Sequence, residues 1–373
     1  MSTQWTAPGS TGAGDPQDAG TPVDIPAPAP HGPDGGPVGP RRELVQALPL
    51  FPLRPLGLGE VLGAAVRIYR LRPKAVLGVS AAVFGVAFVL ITLGTGASMV
   101  PLVGDMQAVM QDPEAEADFG SVGDMVLLLL SSVVTALLTT ISSSLVTVAL
   151  TRLSLGEATG EGVSTAQMWA TMRRRGAAAI AVALLAGLLA LVAILLPTAL
   201  GALPLLLLQE ASALTILPLL LGVLAGVLAA VWVWARTLLA VPALVLEDAG
   251  VLGALRRAFA LTRGRRLWRV LGTGVLLYLL YTVASQVIAG VFGTVASFLY
   301  MAILLAGSFE TLLLGIMVMT VISMLGSYAG VFLLAPFLSA GIVAVYADAR
   351  MRHEAWDIEL TRRARAVWDG AGA

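Results

Sequence analysis

The sequence predicts an all-α integral membrane protein with six transmembrane helices in a bundle. Three observations carry that expectation. First, the 373 residues are 57% hydrophobic and only 12% charged, with a mean hydropathy of +0.88. A soluble domain carries about 25% charge. Second, the apolar residues gather into six long segments, each with at least the roughly 20 residues that a helix needs to cross the hydrocarbon core. Third, all 23 Lys and Arg residues fall into four clusters, Arg41 to Lys74, Arg152 to Arg175, Arg236 to Arg269 and Arg350 to Arg365. The intervening connectors carry only acid: Asp105, Asp112, Glu114, Glu116, Asp118, Asp124, Glu210 and Glu310. Basic connectors stay on the cytoplasmic side of a negative-inside membrane. Six crossings therefore place both termini in the cytoplasm. Arg outnumbers Lys 22 to 1, and Ala and Gly abound, a composition that points to a GC-rich bacterial genome and so to a bacterial inner membrane.

The elements follow in order. Residues 1–40 hold nine Pro and eight Gly with few large apolar side chains. Such a segment buries too little surface to offset its ordering entropy, so it reads as a disordered cytoplasmic tail. The membrane domain covers 41–360, with spans expected at 75–100, 125–151, 177–208, 213–235, 270–297 and 311–347. The third carries Pro197 and Pro204 near its far end. The sixth would run roughly 55 Å if straight, so it is expected to tilt, to kink near Gly326, Gly330 and Pro336, or to extend beyond the bilayer. Residues 298–310 read as a short interfacial helix, because a seventh span there would move Arg350 to Arg365 outside. Residues 361–373 form a cytoplasmic tail. Residues 1–20 lack the apolar core of a signal peptide, which leaves insertion to the first span.

Three connectors have helical amphipathic spacing. Val61, Leu62, Ala65, Ile68 and Tyr69 precede the first span. Met168, Trp169 and Met172 precede the third, behind a capping-box pattern at Ser164 and Gln167. Leu252, Leu255 and Phe259 precede the fifth. With Arg interleaved, these read as interfacial elbow helices. Residues 56–63 (LGLGEVLG) match 153–160 (LSLGEATG) at five positions of eight, and 244–251 (LVLEDAGV) is a weaker counterpart. Glu60, Glu157 and Glu247 mark a three-fold parallel repeat of elbow plus helical hairpin.

Candidate functional residues are few. Arg256, Arg257, Arg263, Arg265, Arg266 and Arg269 set topology and are candidate contacts for anionic inner-leaflet headgroups, each attracted by roughly 1 kcal/mol. Ser131, Thr135, Thr139, Ser143 and Thr147 recur every four residues in the second span, as a helix-packing seam or as the lining of a substrate path. Gly222 with Gly226, and Gly326 with Gly330, are close-approach patterns between helices. Gln286 is the large amide inside a span, an interhelical hydrogen-bond donor. The acidic run from Asp112 to Asp118 lacks the Gly and closing Glu of a calcium loop and reads as solvated. There are no cysteines, and no Walker loop, H-E-x-x-H or G-x-S-x-G. Catalytic, metal and cofactor sites are accordingly not expected, nor is nucleic acid a partner.

From Tyr346 the chain reads YADARMRHEAWDIEL. Its residues Tyr346, Asp348, Arg350, Arg352, Glu354 and Asp357 form the pattern Y-x-D-x-R-x-R-x-E-x-x-D. As a helix surface, this stretch pairs Asp348 with Arg352, Arg350 with Glu354, and His353 with Asp357, and puts Trp356 in an interfacial belt. The stretch resembles the ending of the glycerophosphoryl diester phosphodiesterase membrane-domain family. The entry PLRPLGLGEVLGAAVRIYRLRPKAVLG and the connector ALVLEDAGVLGALRRAFALTRG are similar to that family's opening and its connector before the fifth span. The resemblance implies a multi-pass bacterial membrane domain. It does not bring the phosphodiesterase with it, because a catalytic barrel takes about 250 residues, far more than any polar connector offers. The expected function is a non-enzymatic scaffold or a module that contacts membrane lipids, protein partners or a second copy. The alternative is a permease, or a subunit of one, for a small or lipid-like substrate.

Overall fold

The computed structural model describes residues 49–111, 122–307 and 311–371. The Pro/Gly-rich tail at 1–40 and the acidic run from Asp112 to Asp118 lie outside them. Ten helices make up the described chain: α1 (Leu58–Leu71), α2 (Pro73–Gln111), α3 (Val122–Thr159), α4 (Thr165–Leu208), α5 (Ala213–Thr237), α6 (Ala240–Leu246), α7 (Val251–Leu261), α8 (Arg266–Ala306), α9 (Leu312–Glu354) and α10 (Trp356–Ala371). No strand occurs among the described residues. Six stretches, one each in α2, α3, α4, α8 and α9 and one covering α5 and α6, are long and apolar enough to cross a membrane. This is a multi-pass helical membrane protein.

The helix boundaries follow from local chemistry. At the start of α1, the Glu60 carboxylate accepts the amide of Gly57 at 2.7 Å. Val61, Ala64, Ala65 and Ile68, at i, i+3, i+4 and i+7, bury one face of that helix. Pro73 disfavours helical backbone at Arg72 and opens α2 at the position where its missing N–H costs nothing. The capping box read from the sequence starts α4: the Ser164 hydroxyl accepts from the Gln167 amide at 3.3 Å, and Gln167 accepts from Ser164 at 2.9 Å.

Three expectations change here. The connector before the third span forms no helix of its own. Met168, Trp169 and Met172 belong to the first turns of α4, since nothing breaks helix between Thr165 and the apolar run. Residues 298–306 continue α8, because no Gly, Pro, Asn or Asp lies between Gly293 and Gly307. At the C-terminal end, Ala355 takes a left-handed conformation (φ 51°) that separates α9 from α10. The expected pairing of His353 with Asp357 on one continuous helix therefore does not form.

The long helices pair in sequence as hairpins: α2 with α3, α4 with α5, and α8 with α9. Glycine lets the second and third close tightly. A Cβ on Gly222 would lie 2.5 Å from the Pro197 carbonyl oxygen, and one on Gly326 would lie 2.3 Å from Cβ of Phe292. Both G-x-x-x-G patterns are helix-packing surfaces. The common core lies at the end that carries the Arg clusters, called here the basic end. In α3 it takes residues from Ser142 to Thr159, in α4 from Met168 to Val182, and in α9 from Ala335 to Met351. Towards the opposite end, Leu127 to Leu130 of α3 and Leu217, Leu220 and Leu224 of α5 are exposed, as suits helices bordered by lipid.

The three glutamates of the proposed repeat each meet an arginine: Glu60 with Arg54 at 2.7 Å, Glu157 with Arg72 at 2.8 Å, and Glu247 with Arg257 at 2.8 Å. Their helical positions differ. Glu60 is in the first turn of α1, Glu157 in the last turn of α3, and Glu247 follows the last residue of α6.

Candidate functional site

Two groups of polar residues stand out, and α9 connects them. The first is at the basic end. Asp348 is 5% exposed, and its carboxylate is fully engaged. Oδ1 accepts from the Leu56 amide and from Arg352 Nε, both at 2.8 Å. Oδ2 accepts from Arg269 Nε at 2.8 Å. The Leu56 carbonyl oxygen then accepts from Arg269 Nη2 at 2.7 Å and Arg352 Nη2 at 2.8 Å. One carboxylate and one peptide group are thus clamped by two guanidinium forks. The clamp joins the segment before α1 to α8 and α9.

The neighbouring face of α9 makes a second network. Tyr346, Arg350 and Glu354 recur every four residues and so share that face. The Tyr346 hydroxyl donates to Glu247 at 2.5 Å. Arg257 reaches Glu247 at 2.8 Å and Glu354 at 2.6 Å. Arg350 binds Glu354 at 2.9 Å and lies 4.3 Å over the Trp356 ring. Burial pulls the Arg257 guanidinium down, but its two carboxylates outweigh that and hold its pKa above the ordinary arginine value. The pairs Asp348–Arg352 and Arg350–Glu354 form as the sequence spacing expects. They belong to an interhelical core rather than to a helix surface, and Trp356, at 6% exposure, is buried against Tyr346 instead of lying in an interfacial belt.

The second group is a cleft among α2, α3 and α9, of about 510 Å³, with a neighbouring space of about 240 Å³ sharing Ile91, Thr95 and Thr135. Ligand pockets run to about 300–1,000 Å³. Phe84, Phe88 and Tyr328 form an aromatic wall, with Phe88 and Tyr328 centroids 4.9 Å apart. Hydroxyls from three helices enter it: Thr92, Thr135, Thr139, Thr320, Ser323 and Ser327. None of the lining residues carries charge. Some hydroxyls are satisfied by their own helix, as Thr139 is by the Thr135 carbonyl at 2.8 Å. The buried Oγ1 of Thr92 has no hydrogen-bond partner among the described residues. An unpaired hydroxyl in an apolar setting is costly.

Pro336 lies between the two groups. Proline supplies no amide to the carbonyl four residues earlier. That carbonyl, Phe332 O, accepts instead from the buried Ser80 hydroxyl of α2 at 2.7 Å. One residue on, the Tyr69 hydroxyl of α1 donates to Leu333 O at 2.5 Å and accepts from the Phe337 amide at 2.9 Å. α1 and α2 thus satisfy the backbone around Pro336.

The residues singled out from sequence divide accordingly. Of the Arg group, Arg269 is in the Asp348 clamp and Arg257 is between two glutamates. Arg256, Arg263, Arg265 and Arg266 are exposed, and their side chains have no ion pair or hydrogen bond among the described residues. Ser131 and Thr135 line the smaller space, and Thr135 and Thr139 line the cleft. Further along the stripe, Thr147 meets Ser339 of α9 at 3.1 Å, a packing contact. The Asp357 side chain joins neither network. Gln286 lies on α8 away from both groups. The sequence reading passed over Thr320, Ser323 and Ser327, although their i, i+3, i+7 spacing was a visible signal. Ser80 and the Leu56 peptide carried none. Among the described residues, no group of three or more His, Asp or Glu could hold a metal ion.

Comparison of the chain with family models, with curated proteins and with solved structures finds no match.

Proposed function

We propose that this protein is a non-enzymatic membrane module that holds a lipid-like molecule in the cleft among α2, α3 and α9. The supporting observation is the cleft's chemistry. It is large, uncharged and aromatic-walled, yet Thr135, Thr139, Thr320, Ser323 and Ser327 are among its lining residues. An acyl chain matches the walls, and an ester or hydroxyl group matches the threonines. The buried carboxylate of Asp348 lies at the other end, in the clamp.

In the cell, the basic end faces the cytoplasm of a bacterium, with both termini on that side, following the sidedness of the arginines. α1 and α7, and the first turns of α4, lie at the inner interface as elbows. The three hairpins are parallel repeats. The ending, entry and connector resemble those of the glycerophosphoryl diester phosphodiesterase membrane domains, without the catalytic barrel. Exposed arginines along the basic end meet anionic headgroups. A second copy or another protein packs on the exposed leucines.

The test is native mass spectrometry of the intact chain extracted in mild detergent. The wild type is expected to retain phospholipid. Filling the cleft with Thr135→Phe and Ser323→Phe is expected to remove it at unchanged Tm. Equal retention in both proteins would count against the proposal.

A permease is the second reading. The observation favouring it is that the hydroxyl stripe continues from the cleft through Thr147 towards the basic end. Replacing Ser131, Thr135 and Thr139 by Ala would then abolish a flux that a lipid-holding module does not show at all.

A further inference from the structure

We infer that a small pocket among α1, α7, α8 and α9, at the basic end, is an oxyanion site that takes one phosphate group. The pocket measures about 20 Å³ and is lined by Arg266, Arg269, Arg352, His353, Thr273 and Asp348, with apolar residues beneath. About 10–15 Å³ admits one water, so the enclosed space seats a single oxygen of a phosphate, and the other oxygens and the rest of the molecule stay at its mouth.

Charge argues for an anion. Three guanidinium groups face one carboxylate. Asp348 already receives the Nε groups of Arg269 and Arg352, and the Leu56 carbonyl receives their Nη2 groups. The clamp therefore occupies one edge of each fork and leaves each Nη1 without a protein partner. Arg266 takes no part in the clamp. Its guanidinium has no ion pair or hydrogen bond among the described residues. It is also the first residue of α8, where backbone amides lack intrahelical acceptors and the helix dipole favours negative charge. The nearby Glu354 is taken by Arg257 and Arg350.

Thr273 points the same way independently. It is only 9% exposed, lines the pocket, and its hydroxyl makes no hydrogen bond among the described residues. Its oxygen is not fully enclosed, so it is reachable from the pocket. Surplus guanidinium donors above an unpartnered hydroxyl are the donor set of a phosphate site. The phosphate is that of a phospholipid headgroup or of a soluble phosphate. The inference deepens the lipid-contacting reading and rests on it only for the leaflet. It is independent of the cleft.

The test uses the full chain in detergent with added phosphatidylglycerol, read by native mass spectrometry. Arg266→Gln and Thr273→Val leave the clamp intact, so their Tm should match the wild type. Each is expected to reduce retained phosphatidylglycerol, by roughly tenfold for the arginine, the scale of a lost hydrogen bond to a charged group. Arg256→Gln, an exposed arginine outside the pocket, is the reference for general headgroup attraction and should reduce retention less than Arg266→Gln does. If millimolar inorganic phosphate displaces the lipid from the wild type and raises its Tm but not that of Arg266→Gln, the same site serves soluble phosphate. If it does not displace the lipid, the source is the headgroup. The inference is overturned if neither variant binds phosphatidylglycerol or phosphate more weakly than Arg256→Gln does. That failure is separable from a failure of the cleft, which Thr135→Phe and Ser323→Phe report.

Discussion

The backbone amide of Leu56 lies 2.8 Å from a carboxylate oxygen of Asp348, across 292 residues of chain. The contact fastens the segment before the first hairpin to the last helix of the third. It is made where the side chains of α3, α4 and α9 are buried, and leaves the opposite end to exposed apolar residues. Four expected outcomes follow from this arrangement.

Asp348→Asn should loosen the clamp. It removes the negative charge between Arg269 and Arg352, replaces one of the two acceptor oxygens with a donor, and leaves two guanidinium groups facing each other. Breaking a fully buried pair costs about 3–5 kcal/mol. These arginines are a third to a half exposed, which reduces the expected loss to about 2 kcal/mol. Thermal unfolding in detergent should show Tm lower by roughly 4–8 °C, while Arg256→Gln should change it little.

Ser80→Ala should cost about 1–3 kcal/mol, because Phe332 O would be buried without a donor. Adding Pro336→Ala should recover much of that loss, since residue 336 would then supply the missing amide. A double-mutant cycle on Tm measures the coupling. Additive losses would mean that Ser80 does not serve the proline gap.

Tyr69 gives a pH dependence. Burial raises its hydroxyl pKa above the ordinary value near 10, outweighing the Phe337 amide, which lowers it. A raised folded-state pKa means that the contribution is fully present below about pH 10 and is lost as pH rises through the folded value. Tyr69→Phe should lower Tm at neutral pH and flatten the alkaline decline above about pH 10. Tm measured across that range for both proteins checks the sign.

Gly222→Val should prevent close packing of α4 and α5. The new Cβ would meet the rigid Pro197 carbonyl at 2.5 Å, and no rotamer relieves a clash at Cβ. A loss of more than about 3 kcal/mol is expected, seen as little monodisperse protein in size-exclusion chromatography. Gly78→Ala, whose Cβ would meet nothing within 4 Å, should behave as wild type.

The spans were legible because lipid imposes one rule on every residue: a helix must be apolar for its full crossing. Length and charge sidedness then gave six helices. The four-residue spacing of Tyr346, Arg350 and Glu354, and of Asp348 and Arg352, was equally plain, since it depends only on helical period. Their burial was not. It comes from Leu56, Glu247, Arg257 and Arg269, and local spacing carries no information about contacts across 292 residues. The elbow before the third span was misread for a related reason. Amphipathic spacing at Met168, Trp169 and Met172 reports a buried face without saying whether the helix stops. The cleft was half visible, as the Thr135 and Thr139 stripe. Its other wall needed the α2–α9 packing around Ser80 and Pro336.

The most direct test of the central claim is photocrosslinking of the purified chain with a phospholipid bearing a photoreactive acyl chain, followed by peptide mapping. Residues 84–95 and 319–331 border the cleft, whereas 214–232 carry exposed leucines on α5. The expected result is adduct concentrated on the first two segments and lost in the Thr135→Phe, Ser323→Phe protein. Adduct spread evenly over 214–232 and the cleft segments, and unchanged by those substitutions, would contradict it.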